Sequence, residues 1–131
     1  MNPKYPKLLL LVEDDPEDSD IFLMALDSLE VPTTCVVKRD GYEALLELTR
    51  RDSRPPDYIF MDINMPRMNG IECLSNIKRL DQLDPVKIIM YSTSSNPDVI
   101  KKCLTLGASE FLTKPDNFNV MVTALKRILT N

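Results

Sequence analysis

The stretch YIFMDINMP, Tyr58 to Pro66, is a nearly continuous apolar run that is interrupted by one carboxylate. Its first four residues lack the alternation of a half-exposed strand, which is typical of a strand covered on both faces in a parallel sheet. Asp62, which follows them, has two interpretations. It is either a polar cap at a strand end or the reactive group of the protein. The rest of the chain decides between the two.

Four other short runs are typical of strands, and helical patterns follow all five. The predicted strands are residues 8–12, 34–38, 58–62, 87–92 and 110–113. Asp15 is a predicted N-cap before Pro16, and Gly107 is predicted to end the fourth helix. The apolar residues at helical spacing include Ile21, Leu104 and Val120. The order (βα)5 predicts one α/β domain with a doubly wound, five-stranded parallel sheet and helices on both faces.

Length and composition narrow the class of protein. The 131 residues are 44% hydrophobic, which suits one globular domain with a sizeable core. The formal net charge of −4 argues against a nucleic-acid partner, and no apolar run is long enough for a membrane span. The short apolar run near the N-terminus lacks a signal-peptide cleavage site, which favours a cytoplasmic protein. The absence of histidine removes the commonest general base and metal ligand.

Polar groups follow four of the predicted strands. In α/β sheets of this kind, functional groups gather beyond the carboxyl ends of the strands. The groups are Glu13, Asp14 and Asp15 after the first strand, Asp62 at the end of the third, Ser92 at the end of the fourth and Lys114 after the fifth. Each one alone has a structural explanation as a helix cap or a solvated side chain. Together they predict one site at a single edge of the sheet.

The chemistry of these groups favours the reactive interpretation of Asp62. Carboxylates that lie close together repel one another, and a hard divalent cation such as Mg²⁺ offsets this repulsion through oxygen ligands. With Mg²⁺ beside it, Asp62 could attack phosphorus and form an aspartyl phosphate. Lys114 could neutralise one phosphoryl oxygen, and Ser92 could donate a hydrogen bond to another.

Four motifs, in this order, make essentially the whole chain resemble the CheY-like receiver domains of two-component response regulators. They are LLLLVEDDP, FMDINMPRMNGIE, IIMYSTS and EFLTKP. Each motif alone is weak, but their order and spacing together are specific. The resemblance implies a flavodoxin-like fold and one receiver domain over residues 1–131, without an output domain. It also implies a signalling protein that promotes only its own phosphorylation and dephosphorylation, rather than an enzyme.

The resemblance implies a role for each residue that matches the motifs. Asp62 corresponds to the phosphoacceptor, and Lys114 corresponds to the lysine of the family. Glu13 and Asp14 correspond to the acidic pair, with Asp14 as the more direct Mg²⁺ ligand. Asn64 would offer its backbone carbonyl to the metal, which Asp62 would also bind.

Further residues correspond to the switch of the family. Ser92 takes the position of the switch hydroxyl, and Phe111 takes the position of the switch aromatic. The Lys114–Pro115 bond is predicted to be a candidate cis peptide. Thr93 departs from the family, which prefers a small residue after the hydroxyl, so its side chain is expected to affect the rates of phosphorylation and hydrolysis.

The partners are also implied by the resemblance. The phosphoryl group would come from a sensor histidine kinase or a phosphorelay protein. Phosphorylation would draw Ser92 toward the new oxygens, let Phe111 turn inward and reshape the face made by the fourth helix, fifth strand and fifth helix. A downstream protein target, or a second copy of the chain as a homodimer, would bind that face.

Two other functions compete with this interpretation. One is a receiver-like binding module that works without phosphorylation. The other, a phosphatase of the haloacid-dehalogenase type, also uses an aspartate nucleophile and Mg²⁺. That family expects a second acid two residues after the nucleophile, where this chain has Asn64.

Overall fold

The computed structural model describes residues 6–130 and contains five strands that alternate with five α-helices. The strands are β1 (Lys7–Val12), β2 (Thr33–Lys38), β3 (Tyr58–Met61), β4 (Lys87–Ser92) and β5 (Glu110–Thr113). The helices are α1 (Pro16–Asp27), α2 (Gly41–Leu48), α3 (Gly70–Lys78), α4 (Pro97–Thr105) and α5 (Phe118–Thr130), and a 3₁₀ turn spans Asp81–Leu83. The predicted (βα)5 order is confirmed.

The strands form one parallel sheet in the order β2-β1-β3-β4-β5. The order of the strands reverses at β1, because β2 lies on one side of it and β3 on the other. The crevice between β1 and β3, at their carboxyl ends, is therefore the switch point where ligands bind in open α/β sheets. Glu13 follows β1 there, and Asp62 follows β3.

Alternate residues of the central strands pack into two separate cores. Leu10, Ile59 and Ile88 face a core that contains residues of α2, α3 and α4. Leu9, Phe60 and Ile89 face a second core that contains residues of α1 and α5. Both faces of the sheet are covered, which explains why β1, β3 and β4 are almost continuously apolar in sequence.

Capping residues define the ends of three of the helices. Asp15 accepts a hydrogen bond from the Glu17 amide at 2.9 Å, so the predicted N-cap of α1 is confirmed. Asn69 and Glu72 form a capping box at the start of α3. Gly107 has a φ of 110° just beyond α4, a conformation that favours glycine and ends the helix as predicted.

Several details differ from the sequence predictions. β1 and β2 each begin one residue earlier, and β3 ends at Met61, so Asp62 lies just outside the strand. The described chain contains no cis peptide bond, so the prediction of a cis Lys114–Pro115 bond is wrong. The trans form is the intrinsically preferred one even before proline, which explains the outcome.

The helical spacing located the helices but not always their buried faces. Ile21, Leu104 and Val120 are exposed, although each belongs to the apolar pattern of its helix. In α1, Phe22 is fully buried instead and packs edge-to-face against Phe60, with ring centroids 5.0 Å apart. A short helix with apolar residues on both sides could bury either side, and the tertiary packing selects one.

Among residues 6–130, no helix combines the length and hydrophobicity that crossing a bilayer requires.

Candidate functional site

The acidic residues at the switch point are held by backbone hydrogen bonds to neighbouring strands. The Glu13 amide donates to the Lys38 carbonyl at 2.9 Å, and the Asp62 amide donates to the Val12 carbonyl at 3.0 Å. Both residues therefore continue the sheet pairing by one step, although neither lies within a strand. This pairing directs their side chains into the crevice between β1 and β3.

Three carboxylates converge in that crevice. Carboxylate oxygens of Glu13, Asp14 and Asp62 all lie within 4.8 Å of one another. Glu13 is 2% exposed and Asp62 is 6% exposed, whereas Asp14 is exposed. An all-oxygen set that is open to solvent on one side fits a hard divalent cation that keeps some of its water ligands. The convergence of these three residues agrees with their predicted metal-binding role.

Lys114 reaches the same crevice from the end of β5. Its amide donates to the Ser92 carbonyl at 2.7 Å, so the residue extends the pairing of β5 with β4. Its Nζ lies 2.6 Å from Glu13 Oε1 and 3.7 Å from Asp62 Oδ2, and it lies 5.1 Å from the centre of the Tyr91 ring. The predicted meeting of the lysine, the acidic pair and the aspartate after Met61 is therefore present.

Asp18 is a further member of the site that the sequence prediction missed. Its Oδ2 accepts a hydrogen bond from Lys114 Nζ at 2.9 Å. It lies in the first turn of α1, where an acidic residue is also expected simply for favourable interaction with the helix dipole. The only sequence clue was its position three residues after Asp15, which places it on the turn that faces the strand ends.

Burial dominates the electrostatics of the carboxylates. Burial raises the pKa of Glu13, the hydrogen bond from Lys114 lowers it and the Asp62 charge raises it, which together place this pKa at about 7. Burial also raises the pKa of Asp62, while Lys114 and the amides of Asn64 and Ile63 act in the opposite direction. The pKa of Lys114 is raised: its burial lowers it, but the hydrogen bonds to Glu13 and Asp18 outweigh that effect. Three carboxylates contact the one ammonium here and Asp14 lies beside them, so the site carries surplus negative charge that a cation can offset.

The loop between β3 and α3 is held close to Asp62 by a glycine. Gly70 is the first residue of α3, and its amide donates to the Ile63 carbonyl at 2.8 Å. A Cβ at this position would overlap the backbone carbonyl of Asp62. Only glycine therefore lets α3 start directly against the strand end. Asn64 lies in this loop and is exposed.

A second contact anchors the same loop to α2. Arg67 has a φ of 65°, which is uncommon for a residue other than glycine. Its guanidinium forms an ion pair with Asp40, the buried N-cap of α2, and lies 5.5 Å from the centre of the Tyr42 ring. These contacts compensate for the backbone conformation and link the loop that follows Asp62 to the start of α2.

The predicted switch residues lie nearby but outside the cluster of charges. Ser92 is fully buried at the end of β4, and its hydroxyl accepts a hydrogen bond from the Ser94 amide at 3.2 Å. Within residues 6–130, no hydrogen bond joins the Ser92 hydroxyl to Asp62 or Lys114. Phe111 is half-buried against the core under α3 and α4, and Thr93 is exposed. The roles of Ser92 and Phe111 stay predictions.

A parallel sheet in this order, with acids, a lysine and a hydroxyl residue at its carboxyl edge, defines a CheY-like receiver domain. Comparison with known families agrees with this class. The model of the response regulator receiver domain matches residues 9–126, and the chain belongs to that family. It is thus a signalling domain of two-component systems, and such domains interact with histidine kinases or phosphotransfer proteins.

Relatives of known sequence and structure support the assignment over most of the chain. The response regulator Rcp1 of Synechocystis sp. is 31% identical over 116 residues, which cover 86% of this chain and 79% of Rcp1. The crystal structure of the Mn²⁺-bound form of Rcp1 matches with a TM-score of 0.84 and 29% identity, over 94% of this chain and 91% of that one. The phosphorylated cyanobacterial phytochrome response regulator RcpA matches with a TM-score of 0.86 and 32% identity, over 95% of this chain and 91% of that one.

Receiver domains of this type also occur as parts of longer proteins. A protein-glutamate methylesterase/protein-glutamine glutaminase of Rhodospirillum rubrum is 42% identical over 81 residues. These residues are 62% of this chain but only 21% of that enzyme. The similarity therefore concerns a receiver segment, and the esterase and glutaminase activities belong to the longer protein.

Proposed function

We propose that Asp62 is the phosphoacceptor of this receiver domain and that its phosphorylation requires Mg²⁺. The observation that carries the proposal is the convergence of the buried Asp62 carboxylate with Glu13, Asp14 and the Lys114 ammonium. A buried carboxylate next to two other acids is costly for the fold, and its presence is explained if the charge serves a reaction. The relative RcpA, whose crystal structure is of the phosphorylated protein, supports the same chemistry.

The residues of the crevice fit a divalent cation. Glu13, Asp14 and Asp62 would supply carboxylate oxygens, with Asp14 as the more exposed and more directly available ligand, and Asn64 would supply its backbone carbonyl. The Mn²⁺-bound form of Rcp1 supports a divalent site, and Mg²⁺ is proposed because it accepts oxygen ligands together with a phosphate oxygen. When bound, Mg²⁺ would neutralise the negative charge that otherwise keeps a phosphoryl group from the acidic crevice.

The donor would be a phosphohistidine on a sensor histidine kinase or a phosphotransfer protein. An oxygen of the ionised Asp62 carboxylate attacks phosphorus, the P–N bond breaks, and its electron pair returns to the imidazole nitrogen, which is then protonated. Lys114 would bind one phosphoryl oxygen, and Ser92 would donate a hydrogen bond to another. When the signal ends, water attacks phosphorus, inorganic phosphate leaves, and the Asp62 carboxylate is restored.

The signal would leave through a change in protein contacts. Phosphorylation adds nearly two negative charges at the sheet edge, which would draw Ser92 toward the phosphoryl group. Phe111 would then turn inward and reshape the face formed by α4, β5 and α5. A downstream protein or a second copy of the chain would recognise that face, as a population shift between two arrangements. We infer that residues 1–131 act as one receiver, since the family match spans residues 9–126.

A cytoplasmic location fits this function. Cys35, Cys73 and Cys103 are all free thiols, which is typical of proteins in a reducing compartment. Burial raises the pKa of Cys35 to about 12, so that thiol is also protected from reaction at neutral pH.

Intact-protein mass spectrometry tests the proposed phosphoacceptor. The protein is incubated with acetyl phosphate and Mg²⁺, and the expected result is one phosphoryl adduct on the wild type and none on Asp62→Asn. Asp57→Asn, at the opposite end of β3, is the matched control and should be phosphorylated like the wild type. An adduct on Asp62→Asn equal to that of the wild type would refute the assignment. A wild type that stays unmodified but binds its partner would instead favour the phosphorylation-independent binding module.

A further inference from the structure

The Lys114 ammonium contacts three carboxylates at unequal distances. It donates hydrogen bonds to Glu13 Oε1 at 2.6 Å and to Asp18 Oδ2 at 2.9 Å. Asp62 Oδ2 lies 3.7 Å away, which is an electrostatic contact beyond hydrogen-bonding distance. The lysine therefore contacts the phosphoacceptor less closely than it contacts a residue of α1.

The two hydrogen-bonded partners differ in how easily they can be released. The Glu13 side chain is 1% exposed, so loss of the lysine would leave a buried carboxylate without its cation. The Asp18 side chain is 37% exposed, so water can replace the ammonium when the contact breaks. An exposed ion pair contributes little net free energy, whereas breaking a buried one is costly. Asp18 is therefore the partner that Lys114 can give up.

From this geometry we propose that Asp18 is a positioning residue that holds the Lys114 ammonium away from Asp62 and releases it when a phosphoryl group arrives. This inference rests on the proposed function of Asp62. The ammonium has three N–H donors, and Glu13 and Asp18 occupy two of them with short, direct bonds. These bonds hold the ammonium 3.7 Å from Asp62 Oδ2. A phosphoryl oxygen on Asp62 draws the ammonium out of this position, and the movement breaks the bond to Asp18 while Glu13 keeps its own. Asp18 thereby slows phosphoryl transfer and links the first turn of α1 to the phosphorylation state.

This role predicts an asymmetry between the two half-reactions. Before transfer, Lys114 is bound to Asp18, so part of the barrier to transfer is the breaking of that contact. After transfer, Lys114 is already bound to the phosphoryl group, both in the aspartyl phosphate and in the transition state of its hydrolysis. Removal of Asp18 therefore accelerates phosphorylation but leaves hydrolysis nearly unchanged.

The test compares Asp18→Asn with the wild type and with a matched control. Glu17→Gln removes the same charge from the same turn of α1, but Glu17 is exposed and forms no ion pair within residues 6–130. Phosphorylation by acetyl phosphate and subsequent loss of the phosphoryl group are followed by intact-protein mass spectrometry at constant Mg²⁺. Asp18→Asn is expected to raise the second-order rate constant of phosphorylation roughly three- to fivefold, the range that follows from an exposed ion pair. The hydrolysis rate should change less than about twofold on the same basis.

Controls separate this contact from a general effect of charge. Glu17→Gln should leave both rate constants near those of the wild type. Asp18→Glu retains the charge and should restore slow transfer. Thermal unfolding of each variant verifies that it folds.

Each outcome bears on the proposal. An equal phosphorylation rate in Asp18→Asn and the wild type overturns it, and so does an equal gain in Glu17→Gln. A parallel change in phosphorylation and hydrolysis also overturns it, since that would indicate a structural effect on the whole site. If the wild type takes no phosphoryl group, the proposed function of Asp62 fails and the role of Asp18 fails with it, which is distinct from a wild type that reacts while Asp18→Asn gains nothing.

Discussion

Two aspartates flank the four-residue strand β3, and their electrostatic environments differ. Asp57 precedes β3, and its carboxylate accepts a hydrogen bond from the Leu8 amide at 2.8 Å. Its side chain is 43% exposed and lies 3.6 Å from Arg54. Asp62 follows β3, is almost completely buried and shares Lys114 with Glu13 and Asp18.

The difference offers a physical criterion that separates a structural carboxylate from the proposed phosphoacceptor. Asp57 completes the backbone pairing at the start of the sheet, where its own amide also donates to the Leu8 carbonyl. Solvent, the Arg54 guanidinium and the Leu8 amide stabilise its charge. The charge of Asp62 is only partly offset, and burial raises its pKa. Surplus charge in a buried cluster, rather than the presence of an acid at a strand end, is the feature that makes Asp62 a candidate reactive group.

One lysine from each end of the sheet extends the comparison, and removal of these two lysines should produce the largest contrast. Lys114→Met leaves the buried Glu13 carboxylate without its ammonium, and the expected loss in free energy of unfolding is roughly 2–4 kcal/mol at pH 7 without Mg²⁺. Lys87→Met, at the exposed start of β4, should cost no more than about 0.5 kcal/mol. Urea unfolding of both variants measures the difference.

Two changes of condition test whether the lost ion pair causes this difference. Protonation of Glu13 limits the cost of losing Lys114, so the loss should shrink when the pH is lowered to 5. Mg²⁺ should also recover part of the stability, since it replaces the missing positive charge. Equal losses in the two lysine variants would mean that the buried ion pair contributes nothing particular to the fold.

The surplus charge also predicts an unusual dependence of stability on pH. Burial raises the pKa of Glu13 from 4.5 to about 7, so in this pH range the folded state binds more protons than the unfolded state. Stability in chelator should therefore fall as the pH rises from 4.5 to 7, by about 1–3 kcal/mol. Asp62 acts in the same direction because its pKa is raised too. Thermal unfolding at pH 5.5 and pH 8, with EDTA and with Mg²⁺, measures the effect.

Mg²⁺ should stabilise the protein more at pH 8 than at pH 5.5, because protons and the metal compete for the same carboxylates. Glu13→Gln is the control: it removes the titrating group and should flatten the pH dependence in chelator. A melting temperature in chelator that rises from pH 5.5 to pH 8 would contradict the assignment of these groups as buried acids with raised pKa values.

Much of the fold could be predicted because the sheet is covered on both sides. β1, β3 and β4 are almost continuously apolar for this reason, and that feature is visible in sequence without any structure. The order of strands and helices then brings the strand ends to one edge, so the convergence of Glu13, Asp14, Asp62 and Lys114 could be predicted as well. The prediction succeeded where a residue's position depends on the backbone pairing of a strand.

The remaining features depend on side-chain geometry that no spacing reveals. Asp18 is an ordinary first-turn acid in sequence, and only the direction of Lys114 makes it part of the site. The overlap that a Cβ at Gly70 would cause depends on where the Asp62 carbonyl lies. The buried face of α1 contains Phe22 rather than Ile21, because the spacing of apolar residues does not show which side of a helix faces the core.

The smallest predicted effect is also the most direct comparison of the two aspartates. Asp57→Asn weakens a charged hydrogen bond to the Leu8 amide and should lower the free energy of unfolding by about 0.5–1 kcal/mol. Asp62→Asn removes an acid whose charge is disfavoured by burial, so at pH 8 in chelator it should raise the free energy of unfolding. The same substitution at the two ends of one strand should therefore have opposite signs, as measured by urea unfolding. A loss of stability in both variants would mean that Lys114 fully compensates the Asp62 charge. Surplus charge would then no longer distinguish the proposed phosphoacceptor Asp62 from the structural carboxylate Asp57.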